Sequence, residues 1–440
     1  MMKKKEARTL GLAALGATLE FYDFVIFLFV AAAISEVFFP PDISPWVRQI
    51  QTFAIFAIGY LVRPVAGIVM AHFGDRVGRK KMFIFLIVLM AVPTFLIGVL
   101  PTYQQVGVLA PIGLLILRAL QGCAVGGELP GAAVFVSEHA SASRLGTASG
   151  TLHGVVHLGL LLGTGAAALA GMIAAQAGIP SLAWRLPFIV GGIFGLTAAY
   201  LRRHLEESPL YAEIQQSKQL SKATPLKVVL TEHAGACCFG FGLMFVMATC
   251  STVFFQYMPT LLITQYGVPR QEALNANMWG TFALAVSMPF WGRLSDSIGW
   301  GRALATGAAA MLLATVWFFH CLADVAAAHG NLAVPFAVQG VAVAAVISLV
   351  PGLMAALFPT NIRQSGYAFP YNIGAALFAG LTPLMLAWLV RDHGPGVPLY
   401  PAIAACAVTA LLAARVGGMR LYLGKQSERV AGAVATQNAG

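Results

Sequence analysis

Long apolar stretches, each of about 20 residues or more, alternate with short polar breaks along this chain. Each is long enough to cross a hydrocarbon layer of roughly 30 Å as an α-helix. The pattern predicts twelve spans, near residues 11–38, 47–72, 81–100, 106–137, 146–176, 184–203, 233–263, 273–295, 302–323, 332–357, 365–390 and 397–420. The expected fold class is an all-α integral membrane protein, because a helix satisfies its own backbone hydrogen bonds in lipid.

Between spans 2 and 3 lies Gly74-Asp75-Arg76-Val77-Gly78-Arg79-Lys80-Lys81. A degraded copy, Ser295-Asp296-Ser297-Ile298-Gly299-Trp300-Gly301-Arg302, follows 221 residues later, half of a 440-residue chain. Repetition at that spacing predicts duplication of one multi-helix unit, giving two pseudo-symmetric six-helix bundles that rock about a central site. The longest internal polar segment, from about Arg202 to Lys227, separates the two sets of spans. The expected organisation is a cytoplasmic N-terminal segment (1–10), a first bundle (11–203), a linker (204–232), a second bundle (233–420) and a tail (421–440). The tail is small and polar and is expected to be disordered.

Composition places the chain in a bilayer: 58% of residues are hydrophobic and 10% charged, too few charges for a water-facing surface of this size. A net charge of +10 would ordinarily raise nucleic acid as a partner. The basic residues fall almost entirely on one side of the predicted spans, including Lys3 to Lys5, Arg76 to Lys81, Arg202, Arg203 and Arg302, whereas the opposite loops hold Arg48, Arg185, Arg270 and Arg391. That asymmetry signals topology, not nucleic-acid binding, and puts both termini in the cytoplasm. Glu20 and Asp23 interrupt the first apolar stretch, so it reads as an uncleaved span and not a signal peptide. The six cysteines lie in or at the ends of spans without CxxC spacing and read as small hydrophobes.

Ionisable groups inside hydrocarbon are costly and mark function by default. Glu20, Asp23, Arg63, Arg118 and Glu128 are such groups, all in the first half. Three acids face two arginines, so desolvation favours a proton on one acid, and Glu20, Asp23 or Glu128 is expected to hold the coupled proton. Arg63 or Arg118 would engage an anionic substrate or the deprotonated acid. His153 and His157, four apart on span 5, share a helical face and are candidate substrate or proton contacts. Their spacing lacks the third ligand that an open metal site needs, so no metal site is expected. Gln256, Tyr371 and Asn372 are candidate hydrogen-bonding contacts from the second half, and Phe21, Tyr22, Phe254, Phe255 and Tyr257 are available for an aromatic cage. Asp75, Arg76, Arg79 and Lys80, with Asp296 in the second copy, are candidate gate residues, because charges at helix ends pair with helix dipoles across the two halves. Pro130, Pro259 and Pro370 fall inside spans, where each frees a carbonyl.

The Gly74 to Lys81 loop resembles the signature between spans 2 and 3 of the major facilitator superfamily. The chain more specifically resembles the metabolite:proton symporter family, through Leu19-Glu20-Phe21-Tyr22-Asp23-Phe24, Arg63-Pro64, Arg118-Ala119-Leu120-Gln121-Gly122, Gly126-Gly127-Glu128 and Trp184-Arg185-Leu186-Pro187-Phe188. Leu205-Glu206-Glu207-Ser208-Pro209, Phe358-Pro359-Thr360 with Arg363, and Tyr371-Asn372-Ile373-Gly374 extend the resemblance nearly end to end. It implies the major facilitator fold and a bacterial inner-membrane importer of small organic solutes with protons. Departures occur at Leu129, where the family usually has an aromatic residue, and at His153 and His157, where glutamine and proline are usual.

No catalytic triad, metal cluster or phosphate-binding loop emerges, so an enzyme is not expected and no cofactor is implied. With no nucleotide motif, the energy source is expected to be an ion gradient. The buried arginines favour proton symport of a small organic acid of the mono-, di- or tricarboxylate class. Proline/betaine-type zwitterion uptake and drug or metabolite efflux by antiport are the alternatives. The expected partners are the solute, protons and the lipid bilayer, with the protein acting as a monomer.

Overall fold

The computed structural model describes residues 18, 21–23, 25–67, 79–126, 128–202, 225–327, 330–359 and 362–422. Every regular element among them is helical. Nine helices are long and apolar enough to cross a membrane among the described residues, and they correspond to spans 2, 4 to 7 and 9 to 12. The described part of span 1 ends in the helix Ala31–Val37. Span 3 is Arg79–Val99, apolar from Ile84 onward. Span 8 is Arg270–Ile298, made less apolar by residues such as Glu272, Asn275, Asn277, Arg293 and Asp296. The fold is therefore all-α with the twelve expected spans.

The interiors of the spans are less regular than unbroken apolar runs suggest. Span 4 divides into Leu109–Val125 and Glu128–His139. Span 10 divides into Ala333–Ile347 and Val350–Ala356. Spans 7 and 11 each contain a π-helical segment, Ser251–Tyr257 and Ala375–Gly380. Proline is the physical cause at several of these places, since it has no N–H for the carbonyl four residues earlier. Pro130 frees the carbonyl of Gly126, which accepts instead from Asn372 Nδ2 at 2.8 Å. Pro259 frees the carbonyl of Phe255, which accepts from Asn277 Nδ2 at 3.0 Å.

Spans 5 and 8 pack backbone to backbone. Gly146, Gly150 and Gly154 recur every fourth residue along span 5, and a Cβ added at Gly154 would come within 2.7 Å of the Ala285 carbonyl oxygen on span 8. Span 8 turns into span 9 at Gly299, whose φ of 87° is a conformation glycine adopts without cost. The segment expected as linker, 204–232, includes a helix, Pro225–Glu232, with proline at its first position where an N–H is not needed. At the start of the tail, Tyr422 donates its N–H to the Ala356 carbonyl at the end of span 10, at 2.7 Å.

Candidate functional site

Spans 1, 2, 4, 5, 7 and 11 line a central cavity. Its polar wall consists of Tyr60 and Arg63 from span 2, His153 and His157 from span 5, Ser251, Thr252 and Gln256 from span 7, and Tyr371 from span 11. Phe21, Leu129, Met244 and Met247 supply apolar surface. The two π segments matter here, because an extra residue per turn widens the helix and re-aims side chains. Thr252 and Gln256 lie within one and Ala375 and Ala379 within the other, all facing the cavity.

Of the expected substrate contacts, Arg63, His153, His157, Gln256 and Tyr371 meet in this wall. The guanidinium of Arg63 lies over the Tyr60 ring, 3.9 Å from its centroid. His157 donates from Nδ1 to the His153 carbonyl at 2.9 Å, and His153 Nε2 lies 3.2 Å from Met247 Sδ. Arg118 and Asn372 do not line the cavity. Arg118 is fully buried, donating to Gln121 Oε1 at 2.8 Å with its guanidinium 4.5 Å from the Phe27 ring centroid. Gln121 in turn donates to Thr94 Oγ1 on span 3 at 2.8 Å. Asn372 is committed to the break in span 4. Most of the candidate aromatic cage disperses as well: Tyr22 donates to the Pro187 carbonyl, Phe254 packs on Phe318 and Phe255, and Tyr257 faces Phe53, which leaves Phe21 on the wall.

Asp23 points away from the cavity. It is buried, and a Cβ at Gly191 of span 6 would lie 2.6 Å from its Oδ1. That oxygen has no hydrogen-bond partner among the described residues. Glu20, Asp75 and Arg76 lie outside the described residues, as do the side chains of Glu128, Arg79 and Lys80.

The two halves meet on both sides of the cavity. At one end Asp296 caps the start of span 5: Oδ1 accepts from Gly146 N–H at 2.7 Å, and Oδ2 accepts from Thr147 N–H at 2.8 Å and from its hydroxyl at 2.6 Å. A carboxylate suits a helix N-terminus, where unpaired N–H groups and the helix dipole both favour negative charge. On the same span, Ser149 donates to the Ser348 carbonyl at 2.8 Å and accepts from Gly352 N–H at 2.9 Å, bridging the break in span 10. At the opposite end, Arg391 lies over the Trp46 ring at 4.1 Å and Arg270 donates to the Ala183 carbonyl at 3.4 Å. Sequence reasoning singled out Asp296 but not Ser149 or Tyr60. The signal for Ser149 was Pro351, which marks the break that Ser149 fills.

A family model described as Major Facilitator Superfamily matches residues 13–369. A putative proline/betaine transporter of Staphylococcus haemolyticus is 32% identical over 400 residues, covering 88% of this chain and 82% of that one. The glycine betaine/proline/ectoine/pipecolic acid transporter OusA of Dickeya dadantii is 32% identical over 389 residues, covering 86% and 77%. The inner membrane metabolite transport protein YhjE of Escherichia coli is 30% identical over 419 residues, covering 92% and 93%. Among solved structures, a D-xylose-proton symporter superposes with a TM-score of 0.69 at 18% identity, covering 92% of this chain and 96% of that one. A partially occluded, inward-open form of the xylose transporter XylE from E. coli gives 0.70 at 17%, covering 91% and 95%. At such identity the likeness is one of fold.

The relatives named for proline and betaine overturn the expectation of organic-acid import. The physical reason is legible in the wall: the expectation counted two arginines for an anion, and only Arg63 reaches the cavity.

Proposed function

We propose, starting from the fact that this chain belongs to the Major Facilitator Superfamily, that it imports a small zwitterion of the proline/betaine type together with protons. The observation that carries this reading is the charge of the wall. Among the described residues Arg63 is the one formally charged side chain lining the cavity, and the rest is neutral polar, aromatic, thioether or aliphatic. One cation matches one carboxylate, and a compact solute whose own ammonium balances that carboxylate enters without a second arginine. A di- or tricarboxylate would bring charge that this wall leaves unpaired.

The proton is assigned to an acid of span 1 or span 4. Asp23 fits the role by its setting: a buried carboxyl pressed on a glycine face, its Oδ1 without a partner among the described residues, is far less costly to bury neutral than ionised. Its protonation would change how span 1 sits against span 6, and Phe21, two residues away, lies in the cavity wall. Binding of proton and solute would then favour the same closed state. Asp296 acts as a cytoplasmic gate, with Asp75, Arg76, Arg79 and Lys80 as its counterpart in the first half. The asymmetry of the basic loops supports a cytoplasmic position for that end and for both termini, and the YhjE relative supports a bacterial inner membrane.

The test is internal acidification of proteoliposomes after addition of L-proline, glycine betaine, succinate or citrate under an inward proton gradient. Acidification is expected with a zwitterion and not with the di- and tricarboxylates. Folded protein that moves protons with none of the zwitterions would overturn the reading.

A further inference from the structure

Beside the Thr252 hydroxyl, the cavity wall holds three buried acceptor atoms that nothing among the described residues uses. The first is Nε2 of His157. Its Nδ1 lies 2.9 Å from the His153 carbonyl oxygen, which can only accept, so Nδ1 carries the hydrogen and Nε2 of the neutral ring presents a lone pair. The second is Nδ1 of His153, whose Nε2 faces the hydrogen-free sulfur of Met247 at 3.2 Å and so is the donor. The third is Oε1 of Gln256. None of these atoms has a hydrogen-bond partner among the described residues, and each parent residue is 2% exposed. Buried acceptors left unmade are costly, and native proteins keep few of them. Gathered in one wall, they fit a solute that arrives with hydrogen-bond donors.

We propose that this cavity selects zwitterions whose ammonium retains N–H bonds, so that a secondary amine such as proline is bound in preference to a fully methylated ammonium such as betaine. The inference rests on the zwitterion reading above and deepens it. A quaternary ammonium has no N–H to offer these acceptors and is held instead by aromatic faces. Of the phenyl and phenol rings in the wall, Tyr60 is covered by the Arg63 guanidinium at 3.9 Å, Phe21 lies against the His157 ring at 5.5 Å and Tyr371 against Tyr367 at 5.8 Å, while Phe254, Phe255 and Tyr257 lie elsewhere, so the wall forms no cage of open faces. His153, His157 and Gln256 are thus the residues that read the methylation state of the solute nitrogen. Arg63 holds its carboxylate.

Calorimetric binding to the purified full-length protein at fixed pH tests this with L-proline, pipecolic acid, N-methyl-L-proline and N,N-dimethyl-L-proline. The cations of the first two carry two N–H bonds, the third one and the last none. Pipecolic acid and N-methylproline are isomers, so their comparison separates hydrogen bonding from size. The expected result is about a tenfold loss of affinity for each N–H bond removed, with pipecolic acid above N-methylproline. His157→Phe and Gln256→Met should each narrow the ratio of proline to dimethylproline binding by about tenfold, and either suffices if the other fails to fold. Dimethylproline binding as tightly as proline would overturn the inference and leave zwitterion transport standing. Folded protein that binds none of the four would overturn both.

Discussion

The Asp23 carboxyl is 3% exposed, with Oδ1 against the glycine face of span 6 and without a partner among the described residues. Asparagine has the same shape and cannot release a proton, so Asp23→Asn should fold normally. Accumulation of solute against its gradient is expected to fall at least tenfold, while exchange of labelled for unlabelled solute across the same membrane persists. Accumulation at the wild-type rate would move the proton to Glu20 or Glu128. In-span acids and arginines were visible in the sequence because hydrocarbon makes them expensive. Their direction was not. A helix that is apolar on every side has no amphipathic stripe to orient it, so nothing told Arg63, which reaches the cavity, from Arg118, which is tied to Gln121.

At the scale of the helix, the informative positions are the breaks. Pro130 opens span 4 at Gly126, and Asn372 closes it from span 11; span 10 opens at Ser348, and Ser149 closes it from span 5. Each break is repaired by a side chain from the other half, so the repair lasts only while the halves are together at that end. Ser149→Ala removes one donor and one acceptor and should cost the closed arrangement about 1–2 kcal/mol, a roughly 5- to 30-fold shift toward its opening. Limited proteolysis at the end carrying Asp296 would report the shift as faster cleavage, and an unchanged rate would show that the bond adds nothing to closure. Prolines made spans 4, 7 and 11 suspect from the sequence, but nothing in it showed that spans 7 and 11 adopt π segments. A π turn changes which residues share a face without changing their hydrophobicity, and so Thr252 went unnoticed while Gln256 was found.

Taken as a whole, the two halves touch at both ends of the molecule: Asp296 on the start of span 5 at one, Arg391 on Trp46 at the other. Two bundles that rock as rigid bodies about a central site cannot open both ends together. The two contacts should therefore oppose each other. Asp296→Ala removes three hydrogen bonds at a helix N-terminus, worth about 1–2 kcal/mol, and Trp46→Ala removes a cation–π contact worth roughly 0.5–1 kcal/mol. Hydrogen–deuterium exchange should rise near residues 145–151 in Asp296→Ala and fall near residues 45–61, with the reverse and smaller pattern in Trp46→Ala. Exchange that rises at both ends in either variant would mean that the contacts are independent, and rigid rocking would then fail as the account of how this protein moves its solute.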